Sequence, residues 1–202
     1  MAAPAGFDRR RLLALAALAP VAQVWAGAQL EEPLVDSVRT ALSAAVHNSA
    51  PPVLEFVDQA QRARYQDWLV ANDKRLAARM PEASARQDFL STAWYEAKRA
   101  GLDVALVLGV VQVESAFRKF AVSRVGARGF MQVMPFWARL IGDGDPGVLF
   151  HTQANLRFGC VILRHYMDRE AGDLFMALGR YNGSRGQAAY PDAVLAATRV
   201  WS

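Results

Sequence analysis

The sequence of 202 residues contains one cysteine and three histidines, and these shortages exclude several kinds of site. Cys160 cannot form a disulfide within the chain, and its spacing among apolar residues predicts a small buried side chain. His47, His151 and His165 lack the spacing of metal ligands, so we predict neither a metal site nor a cofactor. The sequence also lacks a phosphate-binding glycine motif and any defensible Ser-His-Asp arrangement.

A basic stripe and alternating strand patterns are absent as well. The chain has 23 basic and 19 acidic residues, and beyond residue 28 the two kinds are mixed, with no basic stripe that would indicate nucleic acid binding. The Asp143-x-Asp145 spacing is not followed by the bidentate glutamate of an EF-hand, so we interpret it as a turn. No segment alternates apolar and polar residues over a sustained length. The sequence therefore predicts a mainly α protein.

The first 28 residues have the composition of an export signal. Three arginines at positions 9–11 precede an uncharged stretch at 12–28 that ends in small residues. This stretch contains Pro20 and is short for a membrane span of about 20 apolar residues, so an uncleaved anchor is the less favoured alternative. We predict export to the periplasm or cell envelope with cleavage after Ala28. The paired arginines leave the Sec route and the twin-arginine route both open.

Apolar residues recur at helical intervals through most of the remaining chain. We predict helices over 33–47 and 53–80, separated by a break at 49–52. We predict a third helix after Pro81, with an inward face formed by Phe89, Leu90, Ala93, Trp94 and Ala97. The second helix has one inward face, formed by Val57, Tyr65, Trp68, Leu69, Leu76 and Met80. We further predict a short helix after Pro135, a helix capped by Thr152, and two final helices that begin near Asp173 and Pro191.

The centre of the sequence is an apolar run that begins at Val104 and ends in one carboxylate, Glu114. The run has no polar face, so a helix formed by it must be buried. A buried glutamate is rare unless it is paired or functional, and burial raises the pKa of a carboxyl such as Glu114. A carboxyl that keeps its proton near neutral pH can act as a general acid. The alternative is that Glu114 lies at a helix end and reaches solvent.

The residues that follow this run resemble the goose-lysozyme-like catalytic domain of the soluble lytic transglycosylases. The matching pieces are Glu114-Ser115, then Ala121-Val122-Ser123 and Gly126-Ala127-x-Gly129-x-Met131-Gln132-x-Met134-Pro135, and finally Ala177-Leu178-Gly179-Arg180-Tyr181-Asn182-Gly183. Asp145-Pro146, Asn155 and Gly159 lie between these blocks, where the family also carries such residues. The resemblance covers residues 90–202.

This resemblance implies a lysozyme-like (goose-type) helical domain at 89–202, preceded by a signal peptide at 1–28 and an N-terminal helical extension at 29–88. It also implies a peptidoglycan lytic transglycosylase, which cleaves the bond between N-acetylmuramic acid (MurNAc) and N-acetylglucosamine (GlcNAc) and leaves 1,6-anhydro-MurNAc ends. Glu114 would act first as acid and then as base. A hydrolytic glycosidase ordinarily needs two carboxylates, and the sequence offers no second credible one.

The resemblance assigns roles to further residues of the matching blocks. Tyr181 matches a tyrosine whose hydroxyl lies near the acid, with a buried core aromatic as the alternative. The positions that match residues lining the substrate cleft are Ser123, Gly129, Gln132 and Met134. Asn182 is a further substrate-binding candidate, and its alternative is a turn formed with the glycine that follows it.

The sequence departs from the usual family pattern at Phe130, where leucine is common, and at 183–186, where Gly-Ser-Arg-Gly replaces Ala-Gly-Pro-Gly. Two other functions stay open: a hydrolytic muramidase that uses Asp143 or Asp145, and a non-catalytic peptidoglycan-binding or scaffold protein. We expect a monomer that binds peptidoglycan glycan strands and no nucleic acid. The N-terminal helices either pack on the catalytic domain or bind an envelope protein.

Overall fold

The computed structural model describes residues 29–47 and 54–202, and these residues are mainly helical. The predicted signal peptide at 1–28 and the predicted break at 49–52 lie outside the described residues. The helices are, in chain order, α1 (Asp36–His47), α2 (Gln59–Leu76), α3 (Ala83–Arg99), α4 (Val104–Ser115), α5 (Pro135–Ile141), α6 (Thr152–Arg169), α7 (Leu174–Asn182) and α8 (Ala189–Trp201), with a short 3-10 helix, Pro146–Phe150, before α6. The described residues form no β-strand, only two isolated bridges between positions 122 and 133. The predicted mainly α fold is confirmed.

Helix α4 forms the centre of the core. Its residues from 104 to 111 are all buried, as the unbroken apolar run predicts. Asp103 caps the helix by accepting a hydrogen bond from the Ala105 amide at 2.7 Å. Helix α8 approaches α4 at Gly109, where an added Cβ would lie 2.5 Å from Thr198 Oγ1 and 3.0 Å from the Val194 carbonyl oxygen. The absence of a side chain at Gly109 therefore lets α8 pack directly on α4.

Helix α3 presents the predicted inward face to the core. Phe89, Leu90, Ala93 and Ala97 are buried. Trp94 is half-buried, and its ring packs on Trp68 of α2 with ring centroids 4.9 Å apart. The predicted boundary between residues 88 and 89 falls within this helix, and the division into an extension and a catalytic domain stays a prediction.

Three local predictions are wrong. The helix predicted over 53–80 is shorter, because Asp58 caps its start and a turn follows Leu76 before Met80. Val57 is 92% exposed and does not join the inward face of α2, because Asp58 caps that helix and places Val57 before it. Thr152 is the first residue of α6 and not its cap. The cap position belongs to His151, because the 3-10 helix ends directly before it and the His151 carbonyl accepts the first helical hydrogen bond from Asn155 at 2.9 Å. Cys160 is buried, as predicted.

The N-terminal segment packs on the C-terminal half of the chain. Helix α1 contacts α5 and α6, and the Arg99 guanidinium donates to the Ala45 carbonyl. Before α1, Glu32 forms ion pairs with Arg180, at 2.7 Å, and with Arg169. The first of the two alternatives for this segment is therefore observed, and binding of an envelope protein stays a prediction.

The described residues contain neither a membrane-spanning helix nor a cluster of metal ligands. No helix in 29–47 or 54–202 is long and apolar enough to cross a membrane. In the same residues, no three histidine, cysteine, aspartate or glutamate side chains are grouped as metal ligands would be.

Candidate functional site

The carboxylate singled out in the sequence lies at an abrupt helix end. Glu114 is in the last turn of α4, and the two residues that follow the helix have left-handed backbone angles, with φ of 50° at Ala116 and 64° at Phe117. Such angles are strained for residues other than glycine and persist only where packing fixes them. The buried Phe117 ring supplies this packing through edge contacts with Phe89 and Trp201, at centroid distances of 5.8 and 5.0 Å.

Glu114 is buried and receives a hydrogen bond from a tyrosine that the sequence analysis did not single out. Its side chain is 4% exposed, so the expected alternative of a solvated helix end does not hold. The Tyr190 hydroxyl donates to Glu114 Oε1 at 2.7 Å. Tyr190 lies in the first turn of α8 and is itself buried. The site therefore contains a carboxylate and a phenol in direct contact within the core.

The Tyr190 hydroxyl keeps its proton over the whole working pH range of a protein. Burial raises the pKa of Tyr190 well above its ordinary value, and the nearby charge of Glu114 raises it further. A phenol in this state can only donate to the carboxylate and cannot compete with it as a base. A hydrogen bond donated to the charged form of a carboxyl favours that form, whereas burial disfavours it. Tyr190 thus opposes the effect of burial on Glu114.

A second hydrogen bond holds α8 at the site. Trp201 Nε1 donates to Gln112 Oε1 at 2.9 Å, two residues before the acid. Together with the Tyr190 bond, it joins the first and last turns of α8 to the final turn of α4. The orientation of the carboxyl is therefore set by the packing of two helices and not by a flexible loop.

The predicted cleft residues form a compact loop with hairpin-like hydrogen bonds next to α4. The Arg128 amide donates to the Val133 carbonyl at 2.9 Å, and the Ser123 amide donates to the Ala127 carbonyl at 3.0 Å. Ser123 Oγ accepts from the Ala127 amide at 3.1 Å. Gln132 is buried with φ of 49°, and its Nε2 donates to the carbonyls of Gly129 and Ala121 at 2.9 and 3.1 Å. Ser123 and Gln132 thus shape the loop, and their contact with substrate stays a prediction.

Gly129 occupies a position that only glycine can fill. Its φ is +74°, and an added Cβ would lie 2.3 Å from Asn155 Nδ2 and 2.5 Å from the Leu149 carbonyl oxygen. Asn155 satisfies three backbone groups here: its Oδ1 accepts from the Met131 amide at 2.8 Å, and its Nδ2 donates to the Arg128 and Leu149 carbonyls. The absence of a side chain at Gly129 therefore lets the buried Asn155 of α6 approach the loop and hydrogen-bond to its backbone.

Tyr181 supports the loop from the other side. Its hydroxyl donates to the Met131 carbonyl at 2.8 Å, whereas the tyrosine that donates to the acid is Tyr190. The pKa of Tyr181 is raised well above its ordinary value, first by burial and then by the charge of Glu114. The structure joins Glu114 to Tyr190 by a hydrogen bond and Tyr181 to the loop, and a catalytic role of Tyr181 stays a prediction.

Asn182 is the last residue of α7 and forms a turn with Gly183, which is the alternative to a substrate contact that the sequence left open. Gly183 follows with φ of 80°, and Asn182 Nδ2 donates to Ser184 Oγ at 3.0 Å. The Asn182 side chain is buried, and within the described residues its Oδ1 has no hydrogen-bond partner. The amide oxygen is thus available as an acceptor, and the predicted substrate contact stays untested.

The N-terminal segment reaches the same loop. Gln29 is buried, and its Oε1 accepts from the Met134 amide at 3.4 Å. Met134 is half-buried beside it. A residue far from the predicted catalytic domain in sequence therefore contacts one of the predicted site residues.

Asp143 and Asp145, the candidates for a second catalytic carboxylate, and two other carboxylates form structural contacts. Asp145 Oδ1 accepts from the Gly147 amide at 2.7 Å and caps the 3-10 helix, and Asp143 accepts from the Asp145 amide at 3.1 Å. Both side chains are exposed. Asp173 caps α7 through the Met176 amide. Glu170, at the C-terminal end of α6, pairs with Arg180 and with Arg185 of the 183–186 loop.

Sequence reasoning missed Tyr190 and Gln29 for different reasons. Tyr190 begins a buried stripe with Val194, Ala197 and Trp201 at helical spacing, so an inward direction was readable. Its partner lies 76 residues away, which periodicity does not indicate. Gln29 carries no local signal of burial, because it stands beside the predicted cleavage site and outside any helix.

Comparison with known proteins gives one family and several relatives. The family described as Transglycosylase SLT domain matches residues 92–192, which is half of the chain and includes Glu114, Tyr181 and Tyr190. A protein named "Transglycosylase" from Enterobacteria phage PRD1 is 40% identical over 87 residues, covering 43% of this chain and 31% of the phage protein.

Bacterial proteins named "Membrane-bound lytic murein transglycosylase C" are similar over the same region. The protein from Actinobacillus pleuropneumoniae serotype 5b (strain L20) is 39% identical over 90 residues, 41% of this chain and 24% of the relative. The protein from Histophilus somni (strain 2336) is 33% identical over 105 residues, 45% of this chain and 29% of the relative. The chain thus spans less than a third of the length of each of these curated relatives.

Proposed function

Because the chain belongs to the Transglycosylase SLT domain family, we propose that it is a peptidoglycan lytic transglycosylase with Glu114 as its acid and base. The observation that carries the proposal is the buried Glu114 carboxyl held by the Tyr190 hydroxyl at 2.7 Å. The helical lysozyme-like fold class agrees with this family. The names of the relatives, which include lytic murein transglycosylases, support the same reaction.

The reaction needs one group that gives and then takes a proton. Protonated Glu114 gives its proton to the glycosidic oxygen between MurNAc C1 and GlcNAc, the C1–O bond breaks, and positive charge develops at C1. The resulting carboxylate takes the proton of the MurNAc C6 hydroxyl, and the C6 oxygen forms a bond to C1. The 1,6-anhydro ring closes without water, and Glu114 ends the cycle protonated. An acetamido group of the substrate can stabilise the intermediate in place of a second carboxylate.

Tyr190 orients the carboxyl for both proton transfers. Its hydroxyl fixes Oε1 by a hydrogen bond, and it loses none of this capacity as pH rises because the pKa of Tyr190 is raised by burial. Tyr181 and Asn155 together fix the backbone of Met131: the Tyr181 hydroxyl bonds its carbonyl, and the Asn155 side chain bonds its amide. We propose that the loop of Ser123, Gly129, Gln132 and Met134, with Asn182 across from it, binds the sugar on either side of the scissile bond.

The place of action is the cell envelope. The bacterial relatives are named membrane-bound, and the basic and apolar composition of residues 1–28 supports export, with cleavage after Ala28. A monomer acting on glycan strands, with an envelope protein bound through the N-terminal helices, completes the proposal.

The test is mass analysis of the soluble products that residues 29–202 release from peptidoglycan. We expect fragments lighter by one water than the corresponding reducing sugars, because ring closure takes the place of hydrolysis. The matched control is Glu114→Gln, which keeps the volume of the side chain and its acceptor oxygen for Tyr190 but has no proton to give. We expect this variant to fold and to release no product.

Other outcomes identify the alternatives. Reducing ends from the parent chain would indicate a hydrolytic muramidase and direct attention to Asp143 and Asp145. Retention on peptidoglycan without any product from the parent would indicate a scaffold protein. Normal product from Glu114→Gln would exclude Glu114 as the acid.

A further inference from the structure

Exposed apolar side chains gather beside the candidate site. Phe120, Val122 and Val125 are 71%, 60% and 51% exposed and lie within six residues of the chain. Exposed apolar side chains scattered singly are ordinary, whereas several within one short loop form a candidate binding surface. No catalytic or structural role described above uses these three side chains.

Two cations lie on the aromatic rings of this region. The Phe120 and Phe150 rings are in contact, with centroids 6.0 Å apart. Lys119 Nζ lies 5.5 Å from the Phe120 ring centroid, and the Arg128 guanidinium lies 5.4 Å from that of Phe150. Within the described residues, neither cation forms an ion pair with a carboxylate. The surface therefore presents an apolar face with positive charge at its edges, and we call Lys119, Phe120, Val122, Arg128 and Phe150 the rim patch.

The rim patch is continuous with the loop that borders the acid. Ala121, directly after Phe120, accepts hydrogen bonds at its carbonyl from the Gly129 amide at 2.9 Å and from Gln132 Nε2 at 3.1 Å. Val122 is bridged to Arg128 within the same loop. Most of the patch is therefore part of the same loop that carries the predicted substrate-binding residues Ser123 and Gln132.

We propose that the rim patch is a peptidoglycan subsite beyond the cleaved bond, an inference that rests on the proposed function. The apolar face of one sugar covers the Phe120 ring, and carboxylates of the attached stem peptide pair with Lys119 and Arg128. The chemistry fits both parts of this substrate, since sugars present flat C–H faces and the stem peptides carry acidic groups. Aromatic side chains supply large contact areas at little entropic loss, and cations near an open surface supply electrostatic attraction.

An anionic lipid surface is the competing occupant, because exposed aromatic and basic side chains also favour membrane interfaces. The structure favours the glycan strand for two reasons. The patch is a short segment fixed by hydrogen bonds to the predicted cleft, whereas an interfacial anchor presents a long amphipathic helix. No such helix carries these residues, which lie between α4 and α5 and in the 3-10 helix.

The experiment measures retention of the chain on insoluble peptidoglycan in the Glu114→Gln background, where the polymer stays intact. We expect Phe120→Ser to weaken binding by about fivefold to tenfold, which corresponds to the loss of one aromatic contact. We expect Lys119→Gln to weaken binding by about threefold at low salt and to have no effect at about 1 M salt, because screening removes the interaction of exposed charges.

Matched controls come from other surfaces of the chain. Val57→Ser removes an apolar side chain that is 92% exposed, and Lys98→Gln removes a cation that lies 5.1 Å from the Trp94 ring centroid. Both controls should bind like the Glu114→Gln parent. Glycan strands freed of their peptides should abolish the Lys119 effect and preserve the Phe120 effect.

Each remaining outcome overturns a defined statement. Equal retention of the parent and Phe120→Ser overturns the rim patch alone. A parent chain that fails to bind peptidoglycan overturns the proposed function and the patch with it. Loss of binding to anionic phospholipid vesicles, without loss on peptidoglycan, would assign the patch to a membrane surface. A change of sedimentation from dimer to monomer in Phe120→Ser would assign it to a second copy of the chain.

Discussion

A single hydrogen bond, from the Tyr190 hydroxyl to Glu114 Oε1, joins two residues that lie 76 positions apart. The bond favours the carboxylate form of Glu114, whereas the buried surroundings favour the protonated form. An acid that must give a proton and then take one requires both forms to be accessible. The balance between burial and one phenol therefore decides the pH range in which the site can work.

We expect Tyr190→Phe to lower kcat/KM by about tenfold to a hundredfold, because a hydrogen bond to a charged group contributes about 1.5–3 kcal/mol. Loss of the bond disfavours the carboxylate, so the alkaline limb of the pH–rate profile, where the acid loses its proton, should move to higher pH. Full pH–rate profiles of both proteins measure this shift.

Tyr181→Phe is the control for this prediction. Its hydroxyl is bonded to the Met131 carbonyl, so removal should reduce stability by about 1–3 kcal/mol and leave the alkaline limb in place. A shift of the limb in Tyr181→Phe, and none in Tyr190→Phe, would reverse the roles assigned to the two tyrosines.

At the scale of elements, the loop between α4 and α5 depends on close approach to α6. Gly126 and Gly129 both have positive φ, but only at Gly129 would an added Cβ meet neighbouring atoms. We expect Gly126→Ala to reduce the free energy of unfolding by about 1 kcal/mol and Gly129→Ala by about 3 kcal/mol. Chemical denaturation of the two variants and the parent measures these losses of unfolding free energy. Equal losses would mean that backbone angle alone accounts for both glycines.

The second element with a specific prediction is the 183–186 loop, where the sequence departs from its family. Arg185 donates to both oxygens of Glu170, at 2.9 and 2.8 Å, and Arg180 donates to the same carboxylate at 2.6 Å. The Arg185 guanidinium, aided by Arg180, holds the pKa of Glu170 at about 2, below its ordinary 4.5. The ion pairs thus fasten the substituted loop to the end of α6.

The depressed pKa of Glu170 makes this contribution dependent on pH. The stabilisation is complete above the unfolded-state pKa of 4.5 and is lost as the pH falls toward 2. We expect the difference in unfolding free energy between the parent and Glu170→Gln to shrink from about pH 5 to about pH 2. Asp168→Asn, which removes an exposed ion pair with Arg164, should change stability little at any pH. A constant difference for Glu170→Gln would mean that its ion pairs do not contribute.

At the scale of the whole molecule, the segment before α1 links distant parts of the chain. Glu32 pairs with Arg169 in α6 and with Arg180 in α7, and Arg180 directly precedes Tyr181. We expect Glu32→Gln to reduce stability by about 1 kcal/mol or less, because the pairs are partly exposed. The rate of hydrogen exchange of the α7 amides should nevertheless increase, and kcat/KM should decrease.

The neighbouring Glu31→Gln provides the control, because Glu31 is exposed and forms no ion pair within the described residues. It should leave both α7 exchange and kcat/KM unchanged. Unchanged α7 exchange in Glu32→Gln would mean that the N-terminal segment rests on the catalytic helices without supporting them.

The sequence predicted those features of the fold and site that depend on neighbouring residues, and missed those that depend on contacts between distant segments. Uninterrupted apolarity predicted the burial of α4, and helical spacing predicted the inward face of α3, because both patterns are local. The family resemblance located Glu114 and the loop with its glycines. The Tyr190 contact, the Gln29 contact and the ties of Arg185 arise from packing between distant segments, and no local pattern encodes them. Val57 was misassigned because an apolar residue at helical spacing can equally precede a cap.

The packing of α4 against α8 also has a consequence for the order of events in folding. Residues 104–115 form the most apolar helix of the core, yet α8, which packs on them, follows in the chain only after α5, α6 and α7. The face of the acid-bearing helix that meets α8 therefore stays uncovered until α8 docks. The moment that hides this apolar surface is also the moment that delivers Tyr190 to Glu114. Completion of the core and completion of the site are thus one folding event.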